Sequence, residues 1–300
     1  MAESMTGKQA LLETLKAEGV ELILGNPGTS EAPIIDLLGD YPEFRYILTL
    51  QESVAVGMGE AYARARGRAS FVSLHVDSGL ANGIALMLDA LNTGTPMVVT
   101  SANYDARKIT ESITDLAQLV RPVTKWAVEL SYPDQIPGTI RRAFNEANSH
   151  PKGPVYVGFT SNALEGTAEM NIVPSRPAYD AAGPSLDGIN EAASLLLGSS
   201  RAIMIVGDRV SDDGAVDQAV ELAELLGLPV YQFGGAEVSF PTAHGQFLGN
   251  LSLRVADHRA ILQRADLVLA VGLDAFEELF YWGDVILPPE TKLIHIDPIP

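Results

Sequence analysis

Segments of alternating apolar residues recur along this chain, separated by segments whose apolar residues return every three or four positions. This switching between period 2 and period 3.6 constrains the fold more than any other feature, because it dictates strands joined through helices. Residues 6–18 read as a helix carrying Leu11, Leu12 and Leu15 and closed by Gly19. Strands are predicted at 20–24, 44–50, 69–75, 96–100, 125–130 and 154–159, with helices at 52–66, 80–91 and 133–148. Thr29 or Ser30 is the predicted cap of a further helix after the turn Gly25-Asn26-Pro27-Gly28. Residues 161–186, with Pro174, Pro177 and Pro184 among small residues, read as a linker. The alternation then restarts, with helices at 186–197, 214–226 and 257–264, strands at 201–206, 228–233, 267–271 and 292–296, and an irregular stretch at 234–251. Such a pattern gives an α/β fold of two doubly wound, mainly parallel-sheet domains, 1–160 and 187–300.

Charge narrows the possible partners. The 300 residues carry a formal charge of −18. The first 160 hold 18 acidic and 13 basic side chains, and the remaining 140 hold 20 and 7. A chain this acidic repels a polyphosphate backbone and an anionic bilayer, so neither nucleic acid nor membrane is an expected partner. The 47% of hydrophobic residues supply a sizeable core. There is no cysteine, which excludes disulfides, thiolate nucleophiles and cysteine metal sites. Residues 1–16 lack an apolar signal core and no run of 18 apolar residues occurs, so a cytoplasmic location is expected.

Ligands of open α/β sheets sit at the carboxyl ends of the strands. That rule selects 25–30, 51–52, 75–82 and 101–107. Glu52 opens a helix directly after a strand, among Val54, Ala55, Val56, Gly57 and Met58. Two readings stand: an acid complementing the helix macrodipole, or a desolvated carboxylate that holds a proton or bonds a ligand nitrogen. His75 ends the apolar strand Phe71-Val72-Ser73-Leu74, as a satisfied strand-end histidine or as a proton-transfer group. Gly79 and Asn82 open the next helix as turn and cap residues or as ligand contacts. His244, in a loop at the mouth of the second domain, is the other histidine singled out. Zinc-hydrolase, serine-hydrolase, Walker A and GxGxxG motifs are absent, and no metal ligands are expected in this chain. Gly207-Asp208 alone is a weak nucleotide signal.

The ordered set Gly25-Asn26-Pro27-Gly28-Thr29, Leu50-Gln51-Glu52, Leu74-His75 with Gly79 and Asn82, and Arg121-Pro122-Val123-Thr124-Lys125-Trp126 resembles the thiamine diphosphate-dependent decarboxylases and carboligases. It is most like their benzoylformate decarboxylase branch. The resemblance covers the pyrimidine-binding domain, 1–160, and continues through Phe240-Pro241-Thr242-Ala243-His244 and Ile294-His295-Ile296-Asp297-Pro298 in the central domain. It implies that Glu52 bonds the aminopyrimidine ring and activates it for ylid formation. It implies that His75 helps protonate intermediates and meets substrate, and that Asn26, Pro27, Gly28, Gly79 and Asn82 line the cofactor. Thr29 stands where the branch has a substrate-contacting serine and keeps the hydroxyl. Asp77 interrupts a run of small residues and adds negative charge near an anionic substrate.

The resemblance further implies a small 2-oxo acid substrate, thiamine diphosphate, and Mg2+ in a diphosphate-binding domain that these 300 residues do not contain. The chain is then expected to be part of a longer enzyme, or to work with a separate diphosphate-domain chain, in a homo-oligomer whose active site forms between subunits. Nothing in the sequence points to FAD. An acetolactate synthase-like carboligase is the alternative, against which His75 speaks. A non-catalytic binding or regulatory chain is the alternative of another class, against which Glu52 and His75 together speak.

Overall fold

A computed structural model of the chain describes residues 2–111, 114–175, 183–233, 237–251, 255–274 and 287–299. They fall into two compact units, Met1–Tyr179 and Asp180–Pro300. The first unit opens with β1 (Glu3–Thr6) and α1 (Gly7–Ala17), joined through a capping box. The Thr6 hydroxyl accepts from the Gln9 amide, and the Gln9 side chain accepts from the Thr6 amide at 2.9 Å. There follow β2 (Leu22–Asn26), α2 (Ala32–Leu37), β3 (Arg45–Leu48), α3 (Glu52–Arg66), β4 (Ser70–Leu74), α4 (Ser78–Asn92) and β5 (Met97–Asn103). Then come α5 (Leu116–Val120), β6 (Trp126–Leu130), α6 (Ile136–Asn148), β7 (Pro154–Thr160), α7 (Ser161–Glu165) and β8 (Thr167–Met170).

Six of these strands form one all-parallel sheet in the order β3-β2-β4-β5-β7-β6. Its central strands are buried on both faces, as parallel sheets require. One face packs Ile23, Phe71, Val98, Val155 and Val157 against Leu11, Leu12 and Leu15 of α1 and Ile140 and Phe144 of α6. The other packs Val72, Leu74, Val99 and Tyr156 against Ala55 and Val56 of α3 and Leu80 and Met87 of α4.

Helix α3 matches its predicted span residue for residue. Gln51 caps it by accepting from the Ser53 amide at 3.0 Å, Arg64 and Arg66 lie in its last turn, and Gly67 ends it at φ 66°.

Two expectations are corrected. Neither Thr29 nor Ser30 caps α2. Glu31 holds the cap position without a side-chain capping bond, and Pro33 sits in the first turn where its missing amide costs nothing. Residues 161–170 are not linker. They form α7 and β8, and β8 pairs antiparallel with β1 in a separate two-stranded sheet. Residues 116–120 form α5, a helix that the periodicity does not single out.

The second unit runs α8 (Leu186–Gly198), β9 (Ala202–Val206), α9 (Asp208–Asp212), α10 (Val216–Leu226), β10 (Val230–Gln232), β11 (Phe247–Asn250), α11 (Val255–Leu262), β12 (Leu267–Val271) and β13 (Lys292–Ile296). Its five strands form a parallel sheet in the order β11-β10-β9-β12-β13. Strand β11 lies within the stretch read as irregular. Both sheets therefore have the parallel α/β character that the periodicity dictates. Among the described residues, no helix is long and apolar enough to cross a membrane.

Candidate functional site

In the first sheet the winding reverses between β2 and β4. From β2 the chain leaves through α2 to β3 on one side, and from β4 through α4 to β5 on the other. Such a switch point opens a crevice beyond the carboxyl ends of the two strands. Asn26 ends β2, with Pro27, Gly28 and Thr29 following, and His75 comes directly after β4. Glu52 opens α3, while Gly79 and Asn82 lie in the first two turns of α4.

Glu52 is 9% exposed despite its place at a helix start. Its Oε2 accepts a hydrogen bond from Asn82 Nδ2 at 3.0 Å. Its Oε1 lies over Gly79. A Cβ on Gly79 would come within 3.0 Å of that oxygen and 2.7 Å of the His75 Cβ, so only glycine lets α4 pass between them. Gly28 does the same from the other side, since a Cβ there would fall 2.1 Å from the His75 ring. Gly28, His75, Gly79, Glu52 and Asn82 thus form one continuous patch.

The sequence reading missed the group that holds His75. Glu31 is fully buried. Its Oε2 lies 2.9 Å from His75 Nδ1 and accepts from the Gly28 amide at 2.9 Å. Its Oε1 accepts from the Ala102 amide in β5 at 2.8 Å. A lone Glu after Thr29-Ser30 carries no local signal for this, because one of its partners is 71 residues away. Nearby, the Tyr46 hydroxyl is buried and finds no hydrogen-bond partner among the described residues. Burial, and secondarily the Glu31 charge, push this phenol well above its ordinary pKa.

Further polar groups line the carboxyl ends of the neighbouring strands. Ser101 Oγ and Tyr156 Oη lie 2.6 Å apart, and Asn103 Nδ2 donates to Glu129 Oε2 at 2.9 Å. Burial pushes the Glu129 carboxyl up, and Asp115 adds to it. Thr29 is exposed at the crevice rim. Asp77 stands at φ 54° just ahead of α4 without capping it, with Oδ1 buried and without a hydrogen-bond partner among the described residues. Holding a non-glycine residue there costs on the order of 1–3 kcal/mol.

His244 is not at the ligand end of its sheet. It pairs with Glu224 at 3.2 Å, stacks edge-on to Phe240, and is placed by Gln246, whose carbonyl bonds the amide that begins β10. It lies at the amino ends of the strands, and the turn pattern around it gave no hint of which end. After β9, Arg209 of α9 bridges Asp297 at 2.7 Å and Asp274 at 2.9 Å, an internal use for the segment that begins Gly207-Asp208.

Comparison with known proteins supplies the family. Residues 5–120 match the family model described as thiamine pyrophosphate enzyme, N-terminal TPP binding domain, and residues 189–300 match the central domain of the same enzymes. The chain is 33% identical to benzoylformate decarboxylase of Pseudomonas aeruginosa, over 97% of its own length and 56% of that protein's. It is 29% identical to a probable acetolactate synthase large subunit of Methanocaldococcus jannaschii, over 98% of its own length and 51% of that protein's. Among solved structures it is similar to the thiamine diphosphate-dependent 4-hydroxybenzoylformate decarboxylase of Rhodococcus jostii RHA1, with a TM-score of 0.90 and 31% identity over 98% of this chain and 57% of that one. The chain spans about half the length of the curated relatives it matches.

Proposed function

From the premise that this chain belongs to the thiamine pyrophosphate enzymes, whose N-terminal and central domains it carries, we propose that it is part of a 2-oxo acid decarboxylase of the benzoylformate decarboxylase type. The observation that carries this reading is the Glu52 patch. A nearly buried carboxylate has one oxygen satisfied by Asn82 and the other aimed over a glycine. A carboxylate placed in this way at the crevice can accept a hydrogen bond from a ligand donor. The aminopyrimidine of thiamine diphosphate, which is the same compound as thiamine pyrophosphate, supplies one.

In this reading Glu52 bonds a ring nitrogen and passes a proton to and from it. Asn82 keeps the carboxylate aimed, while Gly28 and Gly79 keep side chains out of the space beside it. Asn26 and Pro27 complete that wall. His75 handles a proton on the reacting side, with the Thr29 hydroxyl beside the substrate. The cofactor, when bound, supplies the electron sink that lets carbon dioxide leave.

The diphosphate and its Mg2+ are assigned to a domain outside these 300 residues, either further along a longer protein or on a separate chain. That domain docks on the face around Glu52. The segment before α3 exposes Leu50 at 97%, and α3 itself exposes Val54 and Met58 beside the patch. A homo-oligomer is the simplest way to cover this face.

A carboligase reading rests on the acetolactate synthases among the relatives. The test is to supply the complete protein with thiamine diphosphate, Mg2+ and a panel of aliphatic and aromatic 2-oxo acids, following carbon dioxide and carbon products. Aldehyde with carbon dioxide is the expected outcome. A 2-acyl-2-hydroxy acid, formed by joining two 2-oxo acids with loss of one carbon dioxide, would favour the carboligase, and no consumption of any 2-oxo acid would overturn both.

A further inference from the structure

The environment of Glu31 decides which nitrogen of His75 is chemically available. A fully buried carboxylate is costly unless its oxygens are hydrogen-bonded. Glu31 collects three partners from three separate segments: the Gly28 amide after β2, the Ala102 amide in β5, and His75 Nδ1 after β4. Backbone amides only donate, and an ionised carboxylate only accepts. An ionised carboxylate that already accepts from two amides can take its third partner only as another donor. A neutral imidazole carries one N–H, and that proton is committed to Nδ1.

The ring has little freedom to do otherwise. Gly28 packs on the imidazole and Gly79 packs on the Cβ, each closely enough to exclude a methyl group. One third of the His75 side chain stays exposed.

We propose that Glu31 is a positioning residue that fixes His75 as its Nδ1–H tautomer and leaves Nε2 as the nitrogen that gains and loses the working proton. In its neutral form His75 then accepts a hydrogen bond at Nε2 and donates none to the crevice. It donates only after Nε2 has taken a proton, and giving that proton up returns the same Nδ1–H tautomer. The tautomer stands on the geometry alone, while its use in decarboxylation rests on the function proposed above.

The test is a multiple-bond proton–nitrogen correlation spectrum of the 15N-histidine-labelled chain. The spectrum is taken at the alkaline end of a titration, with His75 assigned by its loss in His75→Asn. The expected result is a protonated-type nitrogen at Nδ1 and an unprotonated-type nitrogen at Nε2. The reverse pattern, or a mixture of the two, would overturn the proposal, and this arm needs no Glu31 variant to fold. Glu31→Gln, checked for an unchanged fold by circular dichroism, is expected to give the mixed pattern. A fixed Nδ1–H tautomer in that variant would show that Glu31 is not what holds it.

In the complete protein, Glu31→Gln is expected to lower kcat by about 10- to 10^4-fold, the upper end being the loss when a catalytic histidine loses its orienting carboxylate. Affinity for thiamine diphosphate, read by calorimetry, should change by less than about twofold. Unchanged kcat would overturn the catalytic half of the proposal. A wild-type protein that turns over no 2-oxo acid would instead overturn the proposed function and leave the tautomer assignment standing.

Discussion

Two substitutions expose how tightly the patch is built. Gly79→Ala places a methyl group 2.7 Å from the His75 Cβ and 3.0 Å from Glu52 Oε1, so both proposed working groups must move. A displacement of about 1 Å at a reacting centre is enough to cost about a hundredfold in rate. A fall of that size in kcat/KM, with the melting temperature lowered by only a few degrees, is the expected outcome. Asn82→Ala removes the hydrogen bond that Glu52 Oε2 accepts from Asn82 Nδ2. Its expected cost is about 1–3 kcal/mol in cofactor affinity, read by calorimetry on the complete protein. Wild-type affinity would show that Asn82 does not aim the carboxylate. Glu52, His75, Gly79 and Asn82 were legible in the sequence because each stands at a strand-to-helix junction that the periodicity locates. Glu31 was not, since its role is made by Ala102 and His75, both distant in sequence. Sequence spacing shows only a glutamate ahead of Pro33 at a helix start.

Helix α3 shows how one element serves packing and chemistry together. Its buried stripe carries Glu52 at one end and Glu60 two turns on, among Ala55, Val56, Gly59 and Ala63. Glu60 accepts from the Thr93 hydroxyl at 3.1 Å, yet burial still raises its pKa. A carboxyl raised in the folded state keeps a proton that the unfolded chain releases. Stability therefore falls as pH rises from the ordinary value of about 4.3 through the raised one. Glu60→Gln should flatten that part of the profile and unfold at higher denaturant concentration at pH 7, as checked by urea titration across pH. An unaltered profile would mean that Glu60 is fully compensated. At the start of α1, Thr6→Ala removes the capping box and should cost about 0.5–2 kcal/mol by the same titration. Helices and sheet strands with strong internal periodicity could be read ahead of the structure. Strands β1 and β8 could not, since each is four residues long and its partner lies across the whole first unit. Strand β11 hides for a related reason. Among the described residues it pairs only with β10, with a register shift, and so shows no clean alternation.

The molecule as a whole has an interior that accounts for two α/β units and a surface around Glu52 that does not account for itself. Leu50, Val54 and Met58 are exposed beside the nearly buried Glu52, an arrangement suited to a docked partner surface. Met58→Asp should leave the melting temperature within a few degrees of wild type and abolish concentration-dependent association in sedimentation. Unchanged association would place the contact elsewhere. The claim on which the rest depends is that Glu52 works on thiamine diphosphate. The most direct measurement compares the complete wild-type protein with Glu52→Gln, both saturated with thiamine diphosphate and Mg2+, for carbon dioxide release from a 2-oxo acid that the wild type consumes. A fall of about 10^2- to 10^4-fold, the range for a positioned proton-transfer group, is the expected result. Equal rates in the two proteins would contradict the account.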